Sequence, residues 1–182
     1  MSKIDKLCNH FHISVQSLND SVLKRMNRKY TSEFVVDRIN KLREKFVNPG
    51  ITCDIIVGFI NETDEEFEDT LEKVKKIKFS DMHVFKFSKR EGTVAYNMQN
   101  NVTGDMANKR SEMLIKIGEK NKLDFMKKFI GKKLPVLIDE EKNGELFGYT
   151  SNYIRIRGKG EKIRWGEIQD LEFSSIEGNV LI

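Results

Sequence analysis

The sequence is poor in cysteine and proline, and it contains no long hydrophobic run. Its two cysteines, Cys8 and Cys53, form no CxxC or CxxxCxxC pattern, so this chain alone builds neither a zinc ribbon nor a cysteine-bound iron–sulfur cluster. No apolar stretch approaches the roughly 20 residues that cross a bilayer. The first residues also lack the apolar core of a signal peptide. We therefore expect a cytoplasmic protein without membrane contact, whose two thiols are reduced and buried.

The chain contains a balanced mixture of apolar and charged residues. Of its 182 residues, 38% are hydrophobic and 33% are charged, which favours a folded core with a well-solvated surface over intrinsic disorder. The formal net charge of +4 is too small to indicate a polyanionic partner by itself. Only local clusters of basic residues can therefore point to nucleic acid.

Strand-like and helical segments alternate in the first half of the chain. His12–Gln16 alternates polar and apolar residues, and Ile51–Gly58 and Met82–Phe87 are two further strand-like runs. Thr63 and Glu66 match a capping box at the start of one of the intervening helices. The β-α-β-α-β order with short connections predicts about three parallel strands joined by crossover helices.

The second half of the chain has a different character. A polar connection over 88–104 precedes a long charged helix, and several short strand-like runs separated by glycine-containing turns follow. Such a series of short strands is typical of a small antiparallel β-barrel. We therefore predict an α/β fold with a first domain over 1–104, a connecting helix over 105–131 and a β-barrel over 132–182.

Two histidines in the first strand are the only sequence feature that suggests a metal. His10 and His12 are two residues apart, so on a strand they share a face. No third ligand has a suitable spacing along the chain, however. We therefore expect structural or supporting roles for these histidines and no metal site.

Polar residues near the carboxyl ends of the first two strands are candidates for ligand binding. The basic segment 24–29, which includes Arg28, is either a solvated helix end or a clamp for a carboxylate or phosphate. Its position favours the clamp, since ligands of α/β folds bind at this end of the strands. Asp54 lies in the apolar strand-like run of the first domain, where it is either a polar anchor that faces the interior of that domain's strands or part of a ligand site. Gly58 either admits a ligand close to the backbone or starts a turn.

A second basic cluster lies in the predicted barrel. The segment Arg155–Trp165 carries five basic residues and one acidic residue, with Tyr149 and Tyr153 nearby. Basic and aromatic side chains on a small barrel suit RNA, through phosphate contacts and base stacking. The alternative is a lysine-rich hairpin in which Trp165 belongs to the core.

Five motifs follow one another along the chain: His12–Ser17, Met26–Thr31, Asp54–Phe59, Glu62–Phe67 and Arg90–Thr93. They occur in the same order in the radical S-adenosylmethionine (SAM) methylthiotransferases, and the chain resembles this family over nearly its whole length. A later segment, Gly148–Ile154, is similar to the family's terminal TRAM domain, an OB-like RNA-binding barrel. The similarity is strongest to the subgroup that acts on N6-threonylcarbamoyladenosine beside the tRNA anticodon.

The resemblance implies a fold, cofactors and a partner. The three parallel strands would be the carboxy-terminal part of a partial (β/α)6 TIM-like barrel. The full-length enzyme would use SAM and two [4Fe–4S] clusters to add a methylthio group to adenine C2 of tRNA. Both sets of cluster cysteines are absent from this chain, so it should be inactive alone. The terminal barrel would grip the anticodon arm.

The resemblance also implies roles for individual residues, none of them catalytic. Gln16 and Arg28 would hold the amino-acid end of SAM. The adenosine moiety would be bordered by Asp54, Gly58, Phe59, Phe85, Phe87 and Ser88. The expected RNA contacts are Arg90, Tyr149, Tyr153, Arg155, Arg157, Lys159 and Arg164.

Some residues depart from the family pattern. Ile60–Asn61 replaces a Pro-Gly pair, Leu18–Asn19 replaces a Gly-Ser-like pair, and Phe87–Lys89 replaces Tyr-Ser-Pro. We expect these changes to alter the stiffness of loops near the cofactor. Two other functions remain open: a stand-alone RNA-binding module, and part of the sister enzyme that modifies a ribosomal protein. An open barrel edge would also favour a homodimer.

Overall fold

The computed structural model describes residue 4, residues 6–158 and residues 164–182. Its first layer is a sheet of three parallel strands in the order β1-β2-β3. These are β1 (His10–Gln16), β2 (Gly50–Val57) and β3 (Asp81–Lys86). β2 is buried along most of its length, as expected for the central strand of a parallel sheet that is covered on one face by helices.

Three helices connect these strands, and polar side chains cap each of them. They are α1 (Asp20–Arg25), α2 (Ser32–Lys45) and α3 (Asp64–Ile77). The Asn19 and Thr31 side chains accept from free backbone N–H groups at the starts of α1 and α2. The predicted capping box at α3 is confirmed, since the Thr63 hydroxyl and the Glu66 carboxylate each accept from the other residue's backbone N–H.

The long helix α4 (Gly104–Lys127) belongs to both hydrophobic cores. Leu114 is fully buried in the core beneath the parallel sheet. Phe125 and Met126, three turns further along, pack into the core of the terminal sheet. Gly118 permits close packing on β3, because a Cβ atom there would lie 3.1 Å from the Met82 Cε. The helix predicted to connect the domains is therefore packed against each of them.

The terminal part is a six-stranded sheet in the described part of the chain, with the order β7-β4-β5-β6-β9-β8. All neighbouring strands are antiparallel except β6 and β9, which pair in parallel at Ile156 and Leu181. Val136 and Ile138 are fully buried in its core. The strands are β4 (Lys133–Lys142), β5 (Glu145–Thr150), β6 (Arg155–Gly158), β7 (Ile168–Glu172), β8 (Ile176–Glu177) and β9 (Val180–Leu181).

The predicted fold class is confirmed: a parallel α/β part precedes a small, mainly antiparallel sheet. The proposed division at residues 104 and 131 stays a prediction, and so does the cytoplasmic location. No helix among the described residues is both long and apolar enough to cross a membrane. The expectation of two buried thiols is wrong for Cys8, which is exposed, whereas burial raises the pKa of the Cys53 thiol well above its ordinary value.

Candidate cofactor and RNA sites

A cavity of about 690 Å³ opens at the carboxyl ends of β1, β2 and β3. Its walls bring together side chains from segments that are far apart in the sequence, including a short 3₁₀ helix at Val94–Asn97. This is the end of a parallel sheet at which α/β proteins bind ligands. Seven of the eight predicted cofactor residues line it: Gln16, Arg28, Asp54, Phe59, Phe85, Phe87 and Ser88.

Gln16 enters this cavity from a distorted strand end. The pairing of β1 with β2 shifts register between Ile13 and Gln16. Gln16 itself has a φ of 64°, a left-handed conformation that is uncommon for residues other than glycine, and it is buried. Bulges and such backbone conformations concentrate at functional sites, where they orient a side chain.

The basic segment 24–29 divides into paired and unpaired charges. Arg25 donates two hydrogen bonds to the Glu66 carboxylate and a third to the Ile60 carbonyl. The Arg28 side chain has no hydrogen-bond or ion-pair partner among the described residues, and neither does the Arg90 side chain across the cavity. Arg25 is therefore structural, while the guanidinium groups of Arg28 and Arg90 are available to an anionic ligand.

Asp54 lies at the centre of a hydrogen-bonded cluster on the same sheet. Its two carboxylate oxygens lie 3.0 Å from His12 Nε2 and 3.2 Å from His83 Nδ1. Partial burial acts to raise the Asp54 pKa, but the hydrogen bonds and charges of the two histidines outweigh it and lower the pKa below its ordinary value. Asp54 also borders a second cavity, of about 550 Å³, on the side of the sheet facing Tyr153.

Gly58, the eighth predicted cofactor residue, does not line the cofactor cavity. It has a φ of 72°, and a Cβ atom there would lie 3.0 Å from the Ala107 Cβ of α4. Its N–H donates to Glu62, which accepts from Arg110 in an ion pair that is almost completely buried. The predicted close approach of the backbone at Gly58 is therefore an approach to a helix. Sequence reasoning missed Arg110, because a single arginine in a charged helix carries no signal of its burial.

The departures from the family pattern have local structural substitutes. Asn61 takes up a left-handed conformation with a φ of 53°, which asparagine tolerates better than most residues. Its backbone N–H donates to Asn100 and its side-chain carbonyl accepts from Asn101. Leu18 is fully buried and Asn19 caps α1. These loops are therefore held by asparagine hydrogen bonds in place of the usual glycine turns.

The arginines predicted to contact RNA are mostly occupied by carboxylates. Arg155 forms ion pairs with Asp139 and Glu140, and Arg157 pairs with Glu177. A phosphate would have to compete with these partners. Arg164 is largely exposed and lies 3.6 Å from Glu167, while Lys159 lies outside the described residues. Arg90 lies apart from this group, in the wall of the cofactor cavity.

The two tyrosines predicted to contact RNA stack on each other with ring centroids 4.5 Å apart. Tyr153 also stacks on His10 of β1, again at 4.5 Å. A nucleobase would have to extend or displace this three-ring stack. Trp165 is 67% exposed, so the alternative placement of Trp165 in the core is wrong, while the lysine-rich part of this segment lies outside the described residues.

Comparison with known proteins agrees with this arrangement. Residues 1–74 match the model of the radical SAM superfamily. The chain is 39% identical over 173 residues to the threonylcarbamoyladenosine tRNA methylthiotransferase MtaB of Bacillus subtilis, covering 92% of this chain and 38% of that protein. It is 36% identical over 186 residues to the tRNA-2-methylthio-N(6)-dimethylallyladenosine synthase of Endomicrobium trichonymphae, covering 100% of this chain and 44% of that protein.

The chain belongs to the radical SAM methylthiotransferase family. It spans about two fifths of the length of these curated relatives. The cavity fits the SAM that the family implies, because it offers apolar walls with two unpaired guanidinium groups. The cysteines of this methylthiotransferase chain do not fit a [4Fe–4S] cluster, since there are two and one of them, Cys53, is buried with a raised pKa.

Proposed function

We propose that this chain forms one side of the SAM-binding cavity and the RNA-binding part of a tRNA methylthiotransferase. The enzyme would act on N6-threonylcarbamoyladenosine next to the anticodon. The observation that carries the proposal is the cavity at the carboxyl ends of β1–β3 with its unpaired Arg28. Arg28 and Gln16 would bind the amino-acid end of SAM, with the guanidinium on the carboxylate. The adenosine would be bordered by Asp54, Phe59, Phe85, Phe87 and Ser88.

The chain alone is proposed to be inactive. When bound, a [4Fe–4S] cluster supplies the electron that cleaves SAM, and this chain offers only Cys8 and Cys53 as thiolate ligands. Anaerobic reconstitution with iron and sulfide should therefore give a colourless protein. A stoichiometric cluster in the reconstituted chain would contradict the proposal.

The SAM-binding role is tested by calorimetric titration of SAM into the 182-residue chain. We expect saturable binding that Arg28→Gln weakens at least tenfold, because a charge-assisted bidentate hydrogen bond is lost. Lys24→Gln is the matched control, since it removes one positive charge from the same basic segment 24–29 at a residue outside the cavity wall. No binding by the wild-type chain, or equal losses in both variants, would overturn the role of Arg28.

The proposed partner is the anticodon arm, in contact with the terminal sheet. Its support is the exposed Arg164 and Trp165, together with relatives whose names state a tRNA substrate. Filter binding of an anticodon stem-loop across a salt series should show affinity that falls as salt rises. Absence of binding at low salt would exclude this role.

The modified nucleoside is decided by a second comparison. Several relatives are named for dimethylallyladenosine rather than threonylcarbamoyladenosine. We expect a stem-loop carrying threonylcarbamoyladenosine to bind more tightly than one carrying dimethylallyladenosine, and both to bind more tightly than a ribosomal protein. The opposite order of the two stem-loops would reassign the subgroup. The homodimer expected from the sequence gains no support from this single-chain structure or from the relatives, and it stays a prediction.

A further inference from the structure

Two imidazoles and a carboxylate converge on the face of the parallel sheet that borders the second cavity. His12 lies on β1, Asp54 on β2 and His83 on β3, so each strand contributes one side chain. The register pairs Asp54 with His83 directly, while His12 pairs with Thr52, two residues earlier on the same face of β2. One potential ligand atom from each residue lies within 4.8 Å of the other two.

The spacing of these atoms suits a small metal ion. His12 Nε2 and His83 Nδ1 lie 3.0 and 3.2 Å from the two oxygens of Asp54. Bonds of about 2.0–2.2 Å from zinc to imidazole nitrogen and carboxylate oxygen, in tetrahedral geometry, place neighbouring ligand atoms about 3.3 Å apart. Only small side-chain movements are therefore needed to surround an ion. Two histidines and one carboxylate form a ligand set for Zn²⁺ and similar divalent transition metals.

The environment of His12 can support the tautomer that such a site needs. In the metal-free chain His12 Nε2–H donates to Asp54; when a metal ion takes the place of that proton, a proton on Nδ1 can be donated to the Thr52 hydroxyl oxygen, 2.9 Å away. Hydrogen bonds of this kind orient metal-binding histidines and raise their basicity. The Thr52 hydroxyl also lies 3.0 Å from His10 Nε2, to which it can donate in turn. Thr52 therefore connects the cluster to a second, non-ligating histidine.

Competing charges near the cluster are largely satisfied. Lys122, the lysine of the second cavity, forms an ion pair with Asp81 at 2.7 Å. The hydrogen-bond partners recorded for the Asp54 carboxylate are histidines, with no lysine or arginine among them. A metal ion would therefore not have to displace a lysine or arginine from the Asp54 carboxylate.

We propose that His12, Asp54 and His83 bind one divalent transition-metal ion such as Zn²⁺. The ion links the three parallel strands and keeps at least one coordination position for water, since the protein supplies three ligands. The site is independent of the cysteines, and it shares only Asp54 with the proposed SAM cavity.

The experiment is a titration of Co²⁺, a coloured substitute for Zn²⁺, into the metal-free 182-residue chain. One equivalent should give visible absorption that excess Zn²⁺ abolishes. Asp54→Asn and His83→Asn should each weaken binding at least tenfold, because even residues that only support ligands change metal affinity about 10–100-fold. Asp124→Asn is the control, an exposed carboxylate on α4 outside the cluster, and it should leave binding unchanged.

Two further measurements separate this site from other causes of binding. His83 lies on the edge strand with a largely exposed side chain, so His83→Asn should keep the wild-type circular dichroism spectrum. Cys8→Ser should not change the cobalt spectrum. The proposal is overturned by a wild-type chain that binds less than one equivalent, by a thiolate-to-cobalt band that disappears in Cys8→Ser, or by undiminished binding in both cluster variants. The last result would mean an adventitious ion only.

Discussion

His10 of β1 stacks on Tyr153 of the terminal sheet, with ring centroids 4.5 Å apart and an angle of 13° between the ring planes. Burial, and secondarily the charge of His12, lowers the pKa of His10, which favours the neutral ring. Beside this stack, the Asn152 side chain donates to the Asn48 carbonyl at 3.3 Å. The parallel sheet and the terminal sheet are thus joined at the amino-terminal ends of the strands, away from the cofactor cavity.

This junction depends on Gly50, and Gly50→Ala should weaken it. A Cβ atom there would lie 2.1 Å from the Asn152 carbonyl oxygen, so one backbone must move. We expect a loss of about 1–3 kcal/mol in the free energy of unfolding, the usual cost of overpacking. Urea unfolding measures it. Gly104→Ala is the control, because a Cβ atom there meets nothing within 4 Å; equal stability of the two variants would contradict a tight junction.

A second pair of glycine variants separates backbone strain from packing at the cofactor end. Gly58 and Gly131 have nearly the same φ, 72° and 73°. A Cβ atom at Gly131 meets nothing within 4 Å, whereas one at Gly58 lies 3.0 Å from the Ala107 Cβ. Gly131→Ala should cost about 1–2 kcal/mol from the left-handed backbone alone. Gly58→Ala should lower the free energy of unfolding clearly more in the same urea titration. An equal loss for the two variants would show that α4 can move away from the added Cβ atom without a further loss of stability.

Local features of this fold could be predicted from the sequence, and pairings across the sheet could not. The capping box of Thr63 and Glu66 was predictable because both partners lie within one turn. The contacts of Asp54 with His12 and His83 were not, because the register of parallel strands joins residues about 30 to 40 positions apart. Spacing along the chain therefore could not show which side chains lie beside the histidines, and the expected absence of a metal stays a prediction.

The predicted cofactor residues show the same limit. Their convergence on one cavity followed from motif order, but the choice between a ligand contact and a helix contact at Gly58 depended on the position of α4. The charges of Arg155 and Arg157 suggested phosphate binding, while their carboxylate partners come from two other strands, β4 and β8. Charge type was readable from the sequence, and charge pairing was not.

Arg110→Met should strongly destabilise the chain. Arg110 donates to the Glu62 carboxylate and carbonyl and to Asp64, and both Arg110 and Glu62 are 3% exposed. Removing one member of a buried ion pair leaves an uncompensated charge and costs about 3–5 kcal/mol. Lys127→Met, which removes an exposed cation paired with Asp124 on the same helix, should change stability by less than about 1 kcal/mol.

The pH dependence of the Arg110→Met variant identifies the cause. Burial already raises the pKa of Glu62, and loss of Arg110 removes a charge that lowers it. A group with a raised pKa in the folded state stabilises at low pH, and this contribution is lost as pH rises through the folded pKa. The deficit of Arg110→Met should therefore grow as pH rises through the folded pKa that Glu62 has in the wild-type chain, which lies above 4.5, and adding Glu62→Gln should recover part of it at neutral pH. A deficit that is independent of pH would point to lost packing instead.

Glu66→Gln should show the opposite pH dependence. The hydrogen bonds from Arg25 lower the pKa of Glu66 below its ordinary value, so the ionised carboxylate stabilises the folded state above that value. This contribution is lost as pH falls through the lowered folded pKa, so the wild-type chain should lose more stability than Glu66→Gln on acidification below pH 4.5. At neutral pH the variant should be about 1–3 kcal/mol less stable, the value of hydrogen bonds to a charged group. Glutamine keeps the capping box, so the variant tests the charge of residue 66 separately from its capping hydrogen bond.

The control is Glu72→Gln on the exposed face of the same helix, for which urea titrations between pH 3 and 7 should show little change. Matching curves for the two variants would mean that the Arg25–Glu66 pair contributes no more than an exposed pair.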